Sequence, residues 1–172
     1  LAFLMLLLKP QKFLRFFKII CVIPFLFFLF LLSYLPSIYK GTTAIIFRNE
    51  WIPSLGISLD FKIDGLSMLF ALMITGIGTL IYFYASEYLK RDENIHRFYC
   101  YLTLFMAAML GVVLSDNLIT LFVFWELTSI SSFFLIGYNT TQEDSRKSAL
   151  WALSLTSLGG FLMLASFALI GI

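Results

Sequence analysis

Five stretches of this chain, residues 19–39, 65–86, 98–115, 117–142 and 148–172, hold 112 residues and a single charge, Glu126. The other 60 residues carry the remaining 21 of its 22 formal charges. Each stretch is about the length that a helix needs to cross a hydrocarbon core roughly 30 Å thick, which takes roughly 20 residues. Such segregation excludes a soluble globular domain, a nucleic-acid binder and a disordered chain. Continuous apolar runs, rather than alternating segments of about ten residues, also exclude a membrane β-barrel. The expected fold is an all-α membrane protein, a polytopic bundle with five complete transmembrane helices in a single transmembrane domain over residues 1–172.

Residues 1–8 (LAFLMLLL) are too short to span. A signal peptide carries its charges before the apolar run, whereas here Lys9, Lys12, Arg15 and Lys18 follow it. The segment therefore reads as the tail of a truncated first helix. Placement of basic residues then orients the rest. Nine of them (Lys9, Lys12, Arg15, Lys18, Lys90, Arg91, Arg97, Arg146 and Lys147) fall in three loops on one side. Lys40, Arg48 and Lys62 fall in the long loop opposite. The nine mark the cytoplasmic side, which puts both ends of the chain outside.

Helix one is expected over 19–39, with Pro24 and Pro36 near its ends, where a missing donor is tolerated. The outside loop, 40–64, holds the alternating stretch 57–64, the period of a half-exposed strand. Residues 44–51 can pair with it across Pro53-Ser54-Leu55-Gly56 as a β-hairpin. Helix two begins at Asp64-Gly65 with Asp as cap and runs to about Tyr88. Helices three (98–115) and four (117–138) form a tight hairpin with Asp or Ser at the cap. Thr140-Thr141-Gln142-Glu143 matches a capping box and opens helix five, roughly 144–170. The spacings Ala107-x-x-x-Gly111 and Thr156-x-x-x-Gly160 mark faces where helices approach closely. Gly76 and Gly78 are candidates for local flexibility in helix two.

Glu126 is the residue most apt for chemistry. As the tenth residue of helix four counted from Asn117, it lies roughly 15 Å in by helical rise, near the bilayer midplane. A charge there costs upward of ~2.5 kcal/mol and persists where it is used or paired. A proton or ion site is the favoured reading, and a permanently protonated Glu in an interhelical hydrogen bond is the other. Thr128, Ser129, Ser131 and Ser132 follow within two turns, with Ser129 at i+3 on nearly the same face. Hydroxyls there can relay protons, or serve as ordinary glue between helices. Trp125 reads as a packing anchor pointing elsewhere.

Other patterns lead nowhere. Asn139-Thr140-Thr141 fits a glycosylation site but falls in an inferred cytoplasmic loop. His96 is expected in a solvated loop, and Cys21 and Cys100 indicate neither a disulfide nor a metal site. With no phosphate-binding glycine loop, HExxH or nucleophile-plus-base arrangement, neither cofactor nor metal is expected, and any energy for transport must come from an ion gradient or another subunit.

The stretches FKIDGLSMLFALMITGIGTLIYFYASEYL (61–89) and LFMAAMLGVVLSDNLITLFVFWELTSISSFFLIGY (104–138) closely resemble the A-subunit of the multisubunit Mrp-type Na+/H+ antiporters. That family is related to the antiporter-like proton-pumping subunits of respiratory complex I. The resemblance is strong over 51–138, fair in helix five and mainly one of pattern before that. The ELTSISSF run after Trp125 is more similar to the antiporter than to the complex I relative. The resemblance implies the N-terminal part of a bundle of well over a dozen helices in a bacterial cell membrane. It implies that Glu126 is a mid-membrane proton-path residue, paired in the family with a Lys on a later helix. Lys147 lies at the start of helix five and does not fill that role. The implied partners are other membrane subunits of the antiporter complex, Na+, H+ and lipid. The implied activity is exchange of external H+ for cytoplasmic Na+. Two alternatives stand beside it: a proton-pumping subunit of NADH-quinone oxidoreductase, and a truncated, non-transporting structural or assembly component.

Overall fold

The computed structural model of the chain describes residues 10–39, 45–52, 57–89, 92 and 94–170, with side chains over 22–36, 45–51, 58–89, 92 and 94–170. In chain order the elements are α1 (Pro10–Tyr39), β1 (Ile45–Ile52), β2 (Ile57–Ile63), α2 (Gly65–Tyr88), α3 (Ile95–Leu114), α4 (Leu118–Ile136) and α5 (Glu143–Ile170). The architecture is mostly helical, with β1 and β2 forming one small antiparallel sheet. Helices α2, α3, α4 and α5 are long and apolar enough to cross a membrane. Within its described side chains α1 adds a shorter apolar stretch, Val22–Pro36. Among the described residues, then, four candidate spans stand where the sequence predicts five. The expected truncated helix at 1–8 lies outside the described residues.

Helix α1 starts at Pro10, nine residues before the apolar run does. Proline at a first helical position has φ already set and lacks an N–H that would go unpaired there. The backbone therefore continues as helix through the basic segment that the sequence assigns to a loop. Helix α3 likewise begins at Ile95, so His96 belongs to a first helical turn and is half-buried rather than a solvated loop residue.

The caps differ from expectation in an instructive way. Asp64 caps α2 as predicted, accepting from Ser67 N at 2.9 Å while Asp64 N donates to Ser67 Oγ at 2.8 Å. The reciprocal capping box forms here, with Ser in the place usually held by Glu or Gln. It does not form at Thr140: α5 starts only at Glu143, and the Glu143 carboxylate pairs with Lys147 at 2.9 Å. At α4 the cap is Asn117, not Asp or Ser, and its Oδ1 accepts from Thr120 N at 2.7 Å.

The described chain divides into two compact units. The first holds α1, α2 and α3 as far as Met106. Its core is mostly apolar, with a short polar seam between α2 and α3. Met68, Ala71, Thr75, Gly78, Thr79, Tyr82 and Ala85 are buried along one face of α2, at the spacing of a helical stripe. Gly78 lets that stripe approach α3, since a Cβ there would lie 2.8 Å from Met106 Sδ. Gly76 sits against the Phe28 ring of α1, 3.3 Å from where its Cβ would be. Both glycines lie inside an uninterrupted helix at packing contacts. The second unit holds the sheet residues 46–62, α3 from Ala107 onward, α4 and α5.

Candidate functional site

In the second unit the hairpin grips the start of α4. Asn117 Nδ2 donates to Ser58 O at 2.8 Å and to Asp60 Oδ2 at 3.1 Å. Ser58 Oγ donates to the same carboxylate oxygen at 2.7 Å, and Thr120 Oγ1 donates to Ser58 O at 3.2 Å. Asp116 N donates to Asp60 O at 2.9 Å, and Phe61 forms an antiparallel bridge with Ser115. The hydrogen bonds from Ser58, then Asn117, hold the Asp60 carboxyl below the usual carboxylate range; burial opposes them and the charge of Arg48 assists. These contacts fix the first turn of the helix that carries Glu126.

Phe124 packs α4 against the end of α3 and the hairpin. Its ring lies 5.7 Å from that of Phe61, and a Cβ on Gly111 would collide with it. On the other side, α4 and α5 run together across the short connection 137–142. Ser145 Oγ donates to Ile136 O at 2.7 Å and ties the two helix ends.

Glu126 is the ninth of the nineteen residues of α4, with about two helical turns on either side. Its carboxyl is directed at Gly160 of α5, where a Cβ would fall on Oε1 and lie 3.0 Å from Cδ. Oε1 is buried and has no hydrogen-bond partner among the described residues. Trp125 does not point away from this place: its Cδ1 would lie 3.8 Å from the same Cβ. An isolated buried acceptor is costly, roughly 1–3 kcal/mol, so the position is one where a proton, a water or a further partner is strongly favoured.

The predicted hydroxyl neighbours do not converge on Glu126. Thr128 Oγ1 donates to Trp125 O at 2.7 Å, Ser129 Oγ to the same carbonyl at 3.4 Å, and Ser131 Oγ to Leu127 O at 2.8 Å. Each folds back onto the backbone of its own helix, the usual resort of Ser and Thr inside helices. Ser132 is half-buried. Sequence reasoning marked Gly160 only as a packing residue and so missed its place against the carboxyl. In both small-residue spacings only the second member is buried: Gly111 and Gly160 are, while Ala107 and Thr156 are exposed. A second polar cluster, in the first unit, also went unmarked. Tyr82 Oη bonds Thr103 Oγ1, which donates to Tyr99 O at 2.6 Å, and Tyr99 Oη donates to Tyr82 O at 2.9 Å. Among the described residues no group of three or more His, Cys, Asp or Glu is placed to hold a metal ion.

These helices define a multi-pass membrane protein. Residues 51–99 match the family described as NADH-Ubiquinone oxidoreductase (complex I), chain 5 N-terminus, and residues 115–171 the family described as NADH:quinone oxidoreductase/Mrp antiporter, TM. The chain is 46% identical over 164 residues to the Na(+)/H(+) antiporter A1-subunit of Staphylococcus haemolyticus, covering 92% of this chain and 20% of that one. It is 49% identical over 152 residues to the Na(+)/H(+) antiporter A-subunit of Alkalihalophilus pseudofirmus, covering 88% and 19%. Among solved structures, the Mrp complex from Dietzia sp. matches with TM-score 0.72 and 29% identity, over 98% of this chain and 19% of that one. The archaeal membrane-bound sulfane sulfur reductase shares the fold, with TM-score 0.75 at 20% identity over 98% and 25%. The chain belongs to the family of antiporter-like membrane subunits that Mrp antiporters and complex I share, and is similar within it to the N-terminal part of the Mrp A-subunit. It spans about a fifth of the length of the curated relatives it matches.

Proposed function

We propose that this chain forms part of a cation/proton antiporter subunit, working with other membrane subunits to exchange external H+ for cytoplasmic Na+. In this reading Glu126 takes up and releases the proton near the bilayer midplane. Thr128, Ser129 and Ser132 lie on the same helix within two turns of it, Thr128 and Ser129 with their hydroxyls turned to the helix's own carbonyls. Residues 10–39 supply a fifth span, the hairpin faces outside with Arg48 and Lys62, and the nine basic residues of the other segments face the cytoplasm. The observation that supports the reading best is the buried, unpartnered Oε1 of Glu126 in the α4–α5 seam. A packing carboxyl would be expected to find a donor, whereas a transport carboxyl must be left free to change partner.

The test is Na+-dependent proton exchange in membrane vesicles carrying the complete complex. Glu126→Gln keeps the shape and removes the titratable group, so exchange should fall to background while the complex assembles normally. Wild-type exchange in that variant sinks the proton role. The match of residues 51–99 to a complex I family favours a second reading, a proton-pumping subunit of a quinone-linked redox enzyme. Co-purification with flavin and iron–sulfur subunits, and quinone-dependent rather than Na+-dependent proton movement, would select it.

A further inference from the structure

One wall of the α4–α5 seam is made by a missing side chain. Glu126 Oε1 stands where the Cβ of residue 160 would be, and what it meets instead is the Cα–H of a buried glycine. A Cα–H is a weak donor, and Oε1 has no stronger one among the described residues. Charge does not hold the carboxyl from these two helices either. Glu126 is the one charged residue of α4, and Glu143, Asp144, Arg146 and Lys147 of α5 are confined to its start, 13 or more positions before Gly160. Shape holds it. The neighbouring glycine makes a natural contrast, because a Cβ on Gly159 would meet nothing within 4 Å.

We infer that Gly160 is a positioning residue for Glu126: its missing side chain seats the carboxyl in the seam and so sets the rate and pH dependence of proton transfer. This builds on the proton-path reading of Glu126. Filling the seat with one methyl displaces the carboxyl, because Oε1 is the far end of a flexible side chain and gives way before the helix that carries it, which is held at both ends.

The complete complex in vesicles tests this with three variants: Gly160→Ala, Gly159→Ala, and Gly160→Ala combined with Glu126→Asp. Exchange is followed across pH, and the infrared carboxyl band of Glu126 is identified by its loss in Glu126→Gln. Gly160→Ala should lower exchange by roughly tenfold or more, as ångström-scale misplacement of a reacting group does. It should also displace the pH profile and move the Glu126 band. Gly159→Ala should match wild type in all three. The double variant withdraws the acid by one methylene and should exchange faster than Gly160→Ala alone. If Gly160→Ala prevents assembly, recovery of assembly in the double variant supports the seat, and no recovery overturns it. Wild-type rate, profile and band in Gly160→Ala also overturn it. Full exchange in Glu126→Gln strikes instead at the proton-path reading, and leaves the band to judge the seat.

Discussion

Two helix seams in this chain handle buried polarity in opposite ways. Between α2 and α3, three side chains close a circuit: Tyr82 with Thr103, Thr103 with the Tyr99 carbonyl, and Tyr99 with the Tyr82 carbonyl. The two tyrosine rings also touch, with centroids 5.1 Å apart. Between α4 and α5, a carboxyl oxygen is buried against a glycine with no hydrogen bond from the described residues. Both seams are made by helices apolar enough to cross a membrane, where unpaired polar groups are expensive. A satisfied circuit locks two helices together; an unsatisfied carboxyl does not, and is available for exchange. The first seam should therefore contribute to stability and the second to transport.

The sharpest way to break this contrast is to make the second seam apolar. Glu126→Met, of similar volume, should abolish exchange and at the same time raise thermal stability by roughly 1–3 kcal/mol, because a buried unpaired acceptor is removed. A melt of the detergent-solubilised complex checks the second half, and a loss of stability would show that the carboxyl is paired. Gly111→Ala is the packing counterpart. It drives a methyl into the Phe124 ring and should cost roughly 1–3 kcal/mol by the same melt, with transport per assembled complex retained.

Tyr82→Phe opens the α2–α3 circuit but leaves Thr103 donating to Tyr99 O. The expected loss is about 0.6–1 kcal/mol, in the range measured between membrane helices, with no change in the pH dependence of exchange. Acid acts on the hairpin. Because the folded Asp60 carboxyl titrates below its ordinary 3.8, its contribution is complete above that pH and is lost as pH falls through the lowered value. Amide hydrogen-exchange protection at Asp60 and Asp116, taken relative to the intrinsic rate at each pH, should fall below pH 3.8, and Asp60→Asn should remove that acid limb. The smallest effect is Lys147→Ala, which breaks an exposed i,i+4 pair and should change stability by less than about 0.5 kcal/mol.

The helices were legible in the sequence because apolar length is a property of single segments. The expected starts and ends of α2, α3, α4 and α5 fall within about three residues of those observed, and Asp64 was recognisable as a cap. Choices among several local partners were not legible. Thr140 and Glu143 have the spacing of a capping box, yet Glu143 pairs with Lys147, while Asp64 and Ser67 form the box instead. Ser129 lies near the face of Glu126, but a hydroxyl inside a helix finds its own carbonyls within reach, and here it takes Trp125 O. Glu126 itself stood out in the sequence as the lone charge in its run. The identity of the surface it meets depends on how α5 packs, which no local pattern encodes. The glycine motif signalled that something packs at residue 160, without naming it.

The clasp between the hairpin and α4 has a consequence for the order in which the chain is made. Its hydrogen bonds join residues 57 to 62 positions apart, with α2 and α3 lying between. Loop closure over such a distance waits on the synthesis of everything inside the loop. At roughly 5–20 residues per second, the strand bearing Ser58 and Asp60 emerges several seconds before Asn117 and Thr120. Two helices must be laid down in that interval. The clasp thus closes only after α2 and α3 have been made, and it brings the two ends of that helix pair together.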